Sequence, residues 1–177
     1  MHKVIIQSYP DHKVSAALLF WLLDNGFERK DFIFTRTGGR DVCTAYNAGI
    51  KLALDSGADD IVFADNDIFP DARTAPFLEA NYADILCCEY NGGCGCTWKD
   101  PQDFHTALWR TNRHVLELIG LPAFRWPQTA DGSTLTACPC SYFSARAKKL
   151  GVTFAHVGTV QHSPRAKDGL TDVIQLQ

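Results

Sequence analysis

The chain predicts an α/β domain, a mixed and mainly parallel sheet flanked by helices. Three observations predict it. Strand-like and helix-like segments alternate through the first ninety residues, the rhythm of parallel strands joined by right-handed crossovers. The helical stretches stop at glycine signals, Asn25-Gly26, Gly57 and Gly151, as helix C-termini do. The apolar run Ile61-Val62-Phe63-Ala64 runs straight into Asp65-Asn66-Asp67, which reads as a buried strand ending at the rim of a sheet.

Taken in order, Val4 to Ile6 is a β-branched first strand, closed by Ser8-Tyr9-Pro10. Val14 to Leu23 has helical apolar spacing. Asp31 to Phe34 reads as a strand, and Thr37-Gly38-Gly39-Arg40 as a loop. A helix runs from Thr44 or its neighbours through Leu54, and Asp60 to Ala64 is the third strand. A short helix over Ala75 to Ala80 leads to a strand over Ala83 to Glu89. The Gly-Gly-Cys-Gly-Cys segment at 92–96 breaks the rhythm as a loop. Phe104 to Arg110 reads as a strand, and Thr111 or Asn112 caps a helix through Val115, Leu116 and Ile119 that stops at Gly120. Phe124 to Gly132 is irregular. Ser141 to Leu150 is helical, and Val152 to Val160 supplies one or two last strands that deliver His162 to a loop. Residues 166–177 are polar and read as a mobile tail.

With 177 residues, the chain suits one domain over 1–177 with one core. At 46% hydrophobic and 21% charged residues it is a globular composition. A net charge of −3 argues against a broad basic surface, so nucleic acid is not an expected partner. The longest apolar stretches are too short for a membrane span, and residues 1–10 lack the pattern of a signal peptide. A cytoplasmic location follows as an expectation. There the seven cysteines are reduced thiols. Cys87-Cys88 read as small core residues. Cys94-Gly-Cys96 and Cys138-Pro-Cys140 form two C-x-C pairs, closer than the usual zinc knuckle, so structural zinc is not expected and free thiols are.

Two carboxylates at i and i+2 on a strand end repel each other unless a cation lies between them. A divalent ion with a diphosphate on its far side fits, because ligands of open α/β sheets bind at the carboxyl ends of the strands.

In order, Ser8-Tyr9-Pro10, Arg40 with Ala45-Tyr46-Asn47, Asp65-Asn66-Asp67, Ile119-Gly120-Leu121-Pro122, Tyr142-Phe143 with Arg146, and Val160-Gln161-His162 resemble a small GT-A-fold glycosyltransferase of the family-2 type. The likeness runs from about residue 3 to about residue 165. It implies a GT-A, Rossmann-like fold and transfer of a sugar from a nucleotide-diphosphate sugar, a UDP-sugar by preference, to a saccharide or other hydroxyl acceptor. It implies Mn²⁺ or Mg²⁺ held by Asp67 and His162. Asp65 serves as a further ligand, or touches ribose or a metal-bound water. It implies a nucleotide pocket built by Ser8, Tyr9, Pro10, Arg40 and Asn47, with the Arg40 guanidinium shaped for phosphate.

The chain departs from that pattern in two places. No acid follows the second strand, where Thr35-Arg36 stand, so the base is left open. Pro139-Cys140 stand where inverting relatives carry an acidic pair for the catalytic base. Asp131 is the nearest substitute in sequence and Asp103 a more distant one. Retention of configuration and a catalytically degenerate, nucleotide-sugar-binding or zinc-stabilised module stay open as alternatives. Trp126 is the better acceptor platform and Trp109 the better core residue. A dehalogenase-type phosphatase would carry its acids on the first strand and Thr or Val where Phe69 stands. No P-loop or G-x-G-x-x-G is present. The short segment after His162 leaves an acceptor site that is either open or completed by a second subunit.

Overall fold

The structure, a computed structural model, describes residues 1–7, 13–35, 41–91, 104–133, 136–162 and 173–175. Side chains are not described at 90, 91, 162 and 173–175.

Seven strands form one sheet in the order β3-β1-β4-β7-β6-β8-β5. They are β1 (His2–Gln7), β3 (Phe32–Thr35), β4 (Asp60–Asp65), β5 (Ile68–Phe69), β6 (Ile85–Asn91), β7 (Leu108–Asn112) and β8 (Phe154–His162). β1, β3, β4, β6 and β8 run one way, and β7 and β5 run against them. The expected mixed, mainly parallel sheet is therefore present. A separate ribbon pairs β2 (Lys13–Ser15) with β9 (Val173–Gln175), antiparallel. The helices are α1 (Ala16–Asp24), α2 (Val42–Asp55), α3 (Pro76–Glu79), α4 (Arg113–Ile119) and α5 (Pro139–Lys149).

Helices cover both faces, so the parallel strands are apolar on both sides, as such strands must be. Ile5, Ile61, Phe63, Ile85, Cys87 and Trp109 face α2, α4 and α5. Val4, Ile6, Val62, Ala64, Leu86 and Cys88 face α1 and α3. The two sets alternate along each strand, as the period of two requires. Phe63 and Trp109 are cross-strand partners and stack at 4.0 Å, so Trp109 is the core residue its sequence context suggested.

Local chemistry accounts for the boundaries. Ser15 caps α1, accepting from the Leu18 amide, and Asp41 caps α2 through the Cys43 and Thr44 amides. Asn112 caps α4 through the Val115 amide. α2 lies close on β1 because Gly49 has no side chain; a Cβ there would meet Ile5 Cγ2 at 3.0 Å.

Three expectations are corrected. The stretch read as helix from Val14 starts as a strand, since β2 takes residues 13–15 and Ser15 opens α1 only after it. The tail is not wholly loose: Val173 to Gln175 pair with β2, adding two β-branched residues to a ribbon beside Val14. His162 ends a strand, not a loop, because β8 continues through Gln161 and His162 to pair with β5. Among the described residues no helix is long and apolar enough to cross a membrane.

Candidate functional site

The carboxyl ends of β3, β1 and β4 lie side by side, with Thr35 opposite Gln7 and Gln7 opposite Asp65. Residues two apart share a face, so these three side chains stand on the face of Ile5 and Phe63, beneath α2. Thr35 and Gln7 are buried. The Gln7 amide has no hydrogen-bond partner on its nitrogen or its oxygen among the described residues. Residues 8–12 and 36–40 follow Gln7 and Thr35 in sequence. Ser8, Tyr9, Pro10 and Arg40 lie in them, outside the described residues, as do Asp103, Cys94, Cys96 and Trp98.

The turn after β4 is stitched in place by its middle residue. The Asn66 amide nitrogen of the backbone donates to Gln7 O at 3.3 Å, and Asn66 O accepts from Ser15 N at 2.8 Å. The Asn66 side chain donates to Lys13 O at 2.5 Å. The Asp65 amide donates to Ala107 O at 2.8 Å, ahead of β7. Asp65 and Asp67 are thus fixed on a short, braced turn, with Asp67 only 3% exposed. The next residue, Ile68, pairs directly with His162. Sheet pairing therefore brings the backbone of His162, 95 positions after Asp67 in sequence, to within one residue of the acids.

The carboxylate oxygens of Asp65 and Asp67 are the ligand type of a hard divalent cation such as Mn²⁺ or Mg²⁺, and an imidazole is compatible with Mn²⁺. Burial of Asp67 beside Asp65 puts two carboxylates where a cation offsets their repulsion. The residues present fit such an ion. Among the described residues no cluster of three or more metal-ligating side chains stands complete, and the His162 side chain lies outside them.

Asp65 is also met from α2. The Tyr46 hydroxyl lies 3.0 Å from Asp65 Oδ1 and 2.7 Å from Thr106 Oγ1. Burial first, then the charge of Asp65, pushes the Tyr46 phenol well above its ordinary range, so it stays protonated as a donor. Tyr46 packs on Phe124 at 4.9 Å. Neither Tyr46 nor Thr106 stood out as a functional residue in the sequence. Tyr46 sits inside the Ala45-Tyr46-Asn47 triplet, but a helical tyrosine facing a core reads as packing.

Asn47 is engaged with backbone. Its Nδ2 donates to Phe124 O at 2.9 Å, and its Oδ1 accepts from the amides of Ala123 and Phe124 at 2.8 and 3.0 Å. It braces the 123–124 segment against α2. Trp126 is partly exposed and donates from Nε1 to Asp41 Oδ1, the cap of α2, at 3.0 Å.

Asp131 has a local role. Its Oδ1 lies 2.5 Å from Thr129 Oγ1, and accepts from Ser133 N at 3.1 Å and Ser133 Oγ at 2.8 Å. These donors, Thr129 foremost, hold its carboxyl down at about 2. These bonds lie within its own Thr-Ala-Asp-Gly-Ser turn.

The N-terminus of α5 carries the other C-x-C pair. Cys138 occupies the N-cap position and is half-buried, and its thiol is held below the ordinary range by the Cys140 and Ser141 groups that donate to it. Cys140 is buried, and its thiol is pushed up by the adjacent Cys138 and by burial. Burial likewise pushes Cys43 and Cys87 up to about 12, the behaviour of inert core thiols.

No family model and no curated protein matches the chain. Among the solved structures similar to it are two with low sequence identity. One is A197 from STIV, 20% identical, with 90% of this chain and 82% of that one covered and a TM-score of 0.58. The other is a mutant Drosophila β-1,4-galactosyltransferase 7 in complex with manganese, UDP-Gal and xylobiose. It is 12% identical, with 99% of this chain and 70% of that one covered and a TM-score of 0.55. At such identities the likeness concerns the fold alone, a Rossmann-like GT-A sheet flanked by helices.

Proposed function

We propose that this chain is a metal-dependent glycosyltransferase that moves a sugar from a nucleotide-diphosphate sugar, a UDP-sugar by preference, to a saccharide or other hydroxyl acceptor. One observation supports the reading: on a GT-A sheet, the braced Asp65-Asn66-Asp67 turn ends β4 at the carboxyl rim, and the His162 backbone pairs with Ile68, the residue after Asp67.

In this reading Asp67 and His162 hold Mn²⁺ or Mg²⁺, with Asp65 as a further ligand or in contact with ribose or a metal-bound water. The ion supplies charge stabilisation to the departing diphosphate. Gln7, Thr35 and the residues after them, Ser8, Tyr9, Pro10 and Arg40, line the nucleotide side. Arg40 answers phosphate charge with its guanidinium fork. Asn47 acts indirectly, by fixing the 123–124 segment over α2.

Titration calorimetry of the full chain with UDP and GDP, with and without Mn²⁺, tests this. The expected result is metal-dependent binding of UDP that disappears in Asp67→Ala. Absence of nucleotide binding under every metal condition would overturn the reading and direct attention to zinc at the C-x-C pairs.

A second reading, a nucleotide-sugar-binding module without turnover, is favoured by one observation. Asp131 is committed to its turn, and Pro139-Cys140 offer no carboxylate. It predicts the same calorimetry with no transfer to any acceptor.

A further inference from the structure

Asp65 ends a chain of buried donors that the roles above leave unused. Tyr46 Oη lies 3.0 and 3.3 Å from the two Asp65 carboxylate oxygens. The same Oη lies 2.7 Å from Thr106 Oγ1. Cys140 Sγ lies 3.8 Å from that Oγ1. Tyr46, Thr106 and Cys140 are all buried, so water does not replace a missing partner.

Each of these three side chains carries a single proton, and a carboxylate only accepts. If the phenol proton pointed at Thr106, two oxygens would face each other through lone pairs at the Asp65 contact. The phenol therefore donates to Asp65. Its oxygen then accepts from the Thr106 hydroxyl. One direction satisfies both oxygens: Thr106 to Tyr46 to Asp65.

The members have no latitude to rearrange. Tyr46 is clamped against Phe124, Cys140 is in the first turn of α5, and the Asp65 amide is tied to Ala107. The carboxylate is thus aimed before any ligand arrives, which is how supporting residues raise the affinity of a site.

We propose that Tyr46 is the positioning residue of the acid pair and that Thr106 sets the direction of its proton. The purpose assigned to the chain rests on the reading of Asp65 as part of a cation and nucleotide site.

Mn²⁺ binding to the full chain in the presence of UDP, followed by electron paramagnetic resonance, tests it. Tyr46→Phe and Thr106→Val are expected to weaken Mn²⁺ binding about tenfold. Thr106→Ser, which keeps a donor in place, is expected to stay near wild type. If Tyr46→Phe does not fold, the contrast between Thr106→Val and Thr106→Ser decides the matter. Wild-type affinity in Tyr46→Phe and Thr106→Val, or equal losses in Thr106→Val and Thr106→Ser, would overturn the positioning role while leaving the proposed function standing. A wild type that binds neither Mn²⁺ nor UDP would remove both.

Discussion

Asp65 and Asp67 were legible in the sequence because their signal is local: a β-branched run, then two acids in three residues. Asp131 is a different case. Its nearness in sequence to the start of α5 suggested a base, yet Asp-Gly-Ser is also a turn signature, and the structure fills its Oδ1 with Thr129 and Ser133. The expected outcome for Asp131→Asn is transfer activity close to wild type, measured as product formed from UDP-sugar. A catalytic base would lose at least about a hundredfold. Cys138 carries a second prediction. Its folded thiol lies below its ordinary range, so the reactive thiolate persists to lower pH than in a free cysteine, whose pKa is about 8.5. Mapped iodoacetamide labelling should find Cys138 reacting at neutral pH while Cys43 and Cys87 stay protected. Lowering the pH through the folded value should remove that difference.

At the scale of elements, propensity and capping placed most helices and strands to within a residue or two. The errors fall where pairing partners decide. Val14 and Ser15 have helical spacing, but Lys13 to Ser15 find β9 across from them. Val173-Ile174 look like part of a polar tail until that partner exists. β8 outruns its apolar core because Gln161 and His162 pair with β5. The register shift between β6 and β8 falls at Gly158, whose φ is +71° and whose Cβ would stand 2.6 Å from Arg73 O. Gly158→Ala is expected to cost about 2 kcal/mol or more, read as a lower Tm. It should also disturb the β8 end that carries His162, so Mn²⁺ binding should weaken with it.

Across the whole molecule, the acid turn depends on parts far from it in sequence. Asn66 donates to Lys13 O and accepts from Ser15 N, and Lys13 to Ser15 are the strand that β9 pairs. The ribbon therefore braces the turn from outside the main sheet. Deleting residues 173–177 removes no member of the seven-stranded sheet. The truncated chain should keep its far-ultraviolet circular dichroism and most of its Tm, while its affinity for Mn²⁺ with UDP falls several-fold. Unchanged affinity would show that Asn66 is held without the ribbon.

The sequence by itself determined the α/β class, the positions of β1, β4, α2, α4 and α5, and the acid pair at a strand end. Those follow from period, capping and side-chain shape, which act over a few residues. Only the tertiary structure decided that His162 lies across from Ile68, that Tyr46 and Thr106 meet at Asp65, and that Asn47 braces Phe124. Each of those contacts joins residues between 19 and 94 positions apart, and nothing in local spacing encodes which distant strand or helix becomes a neighbour.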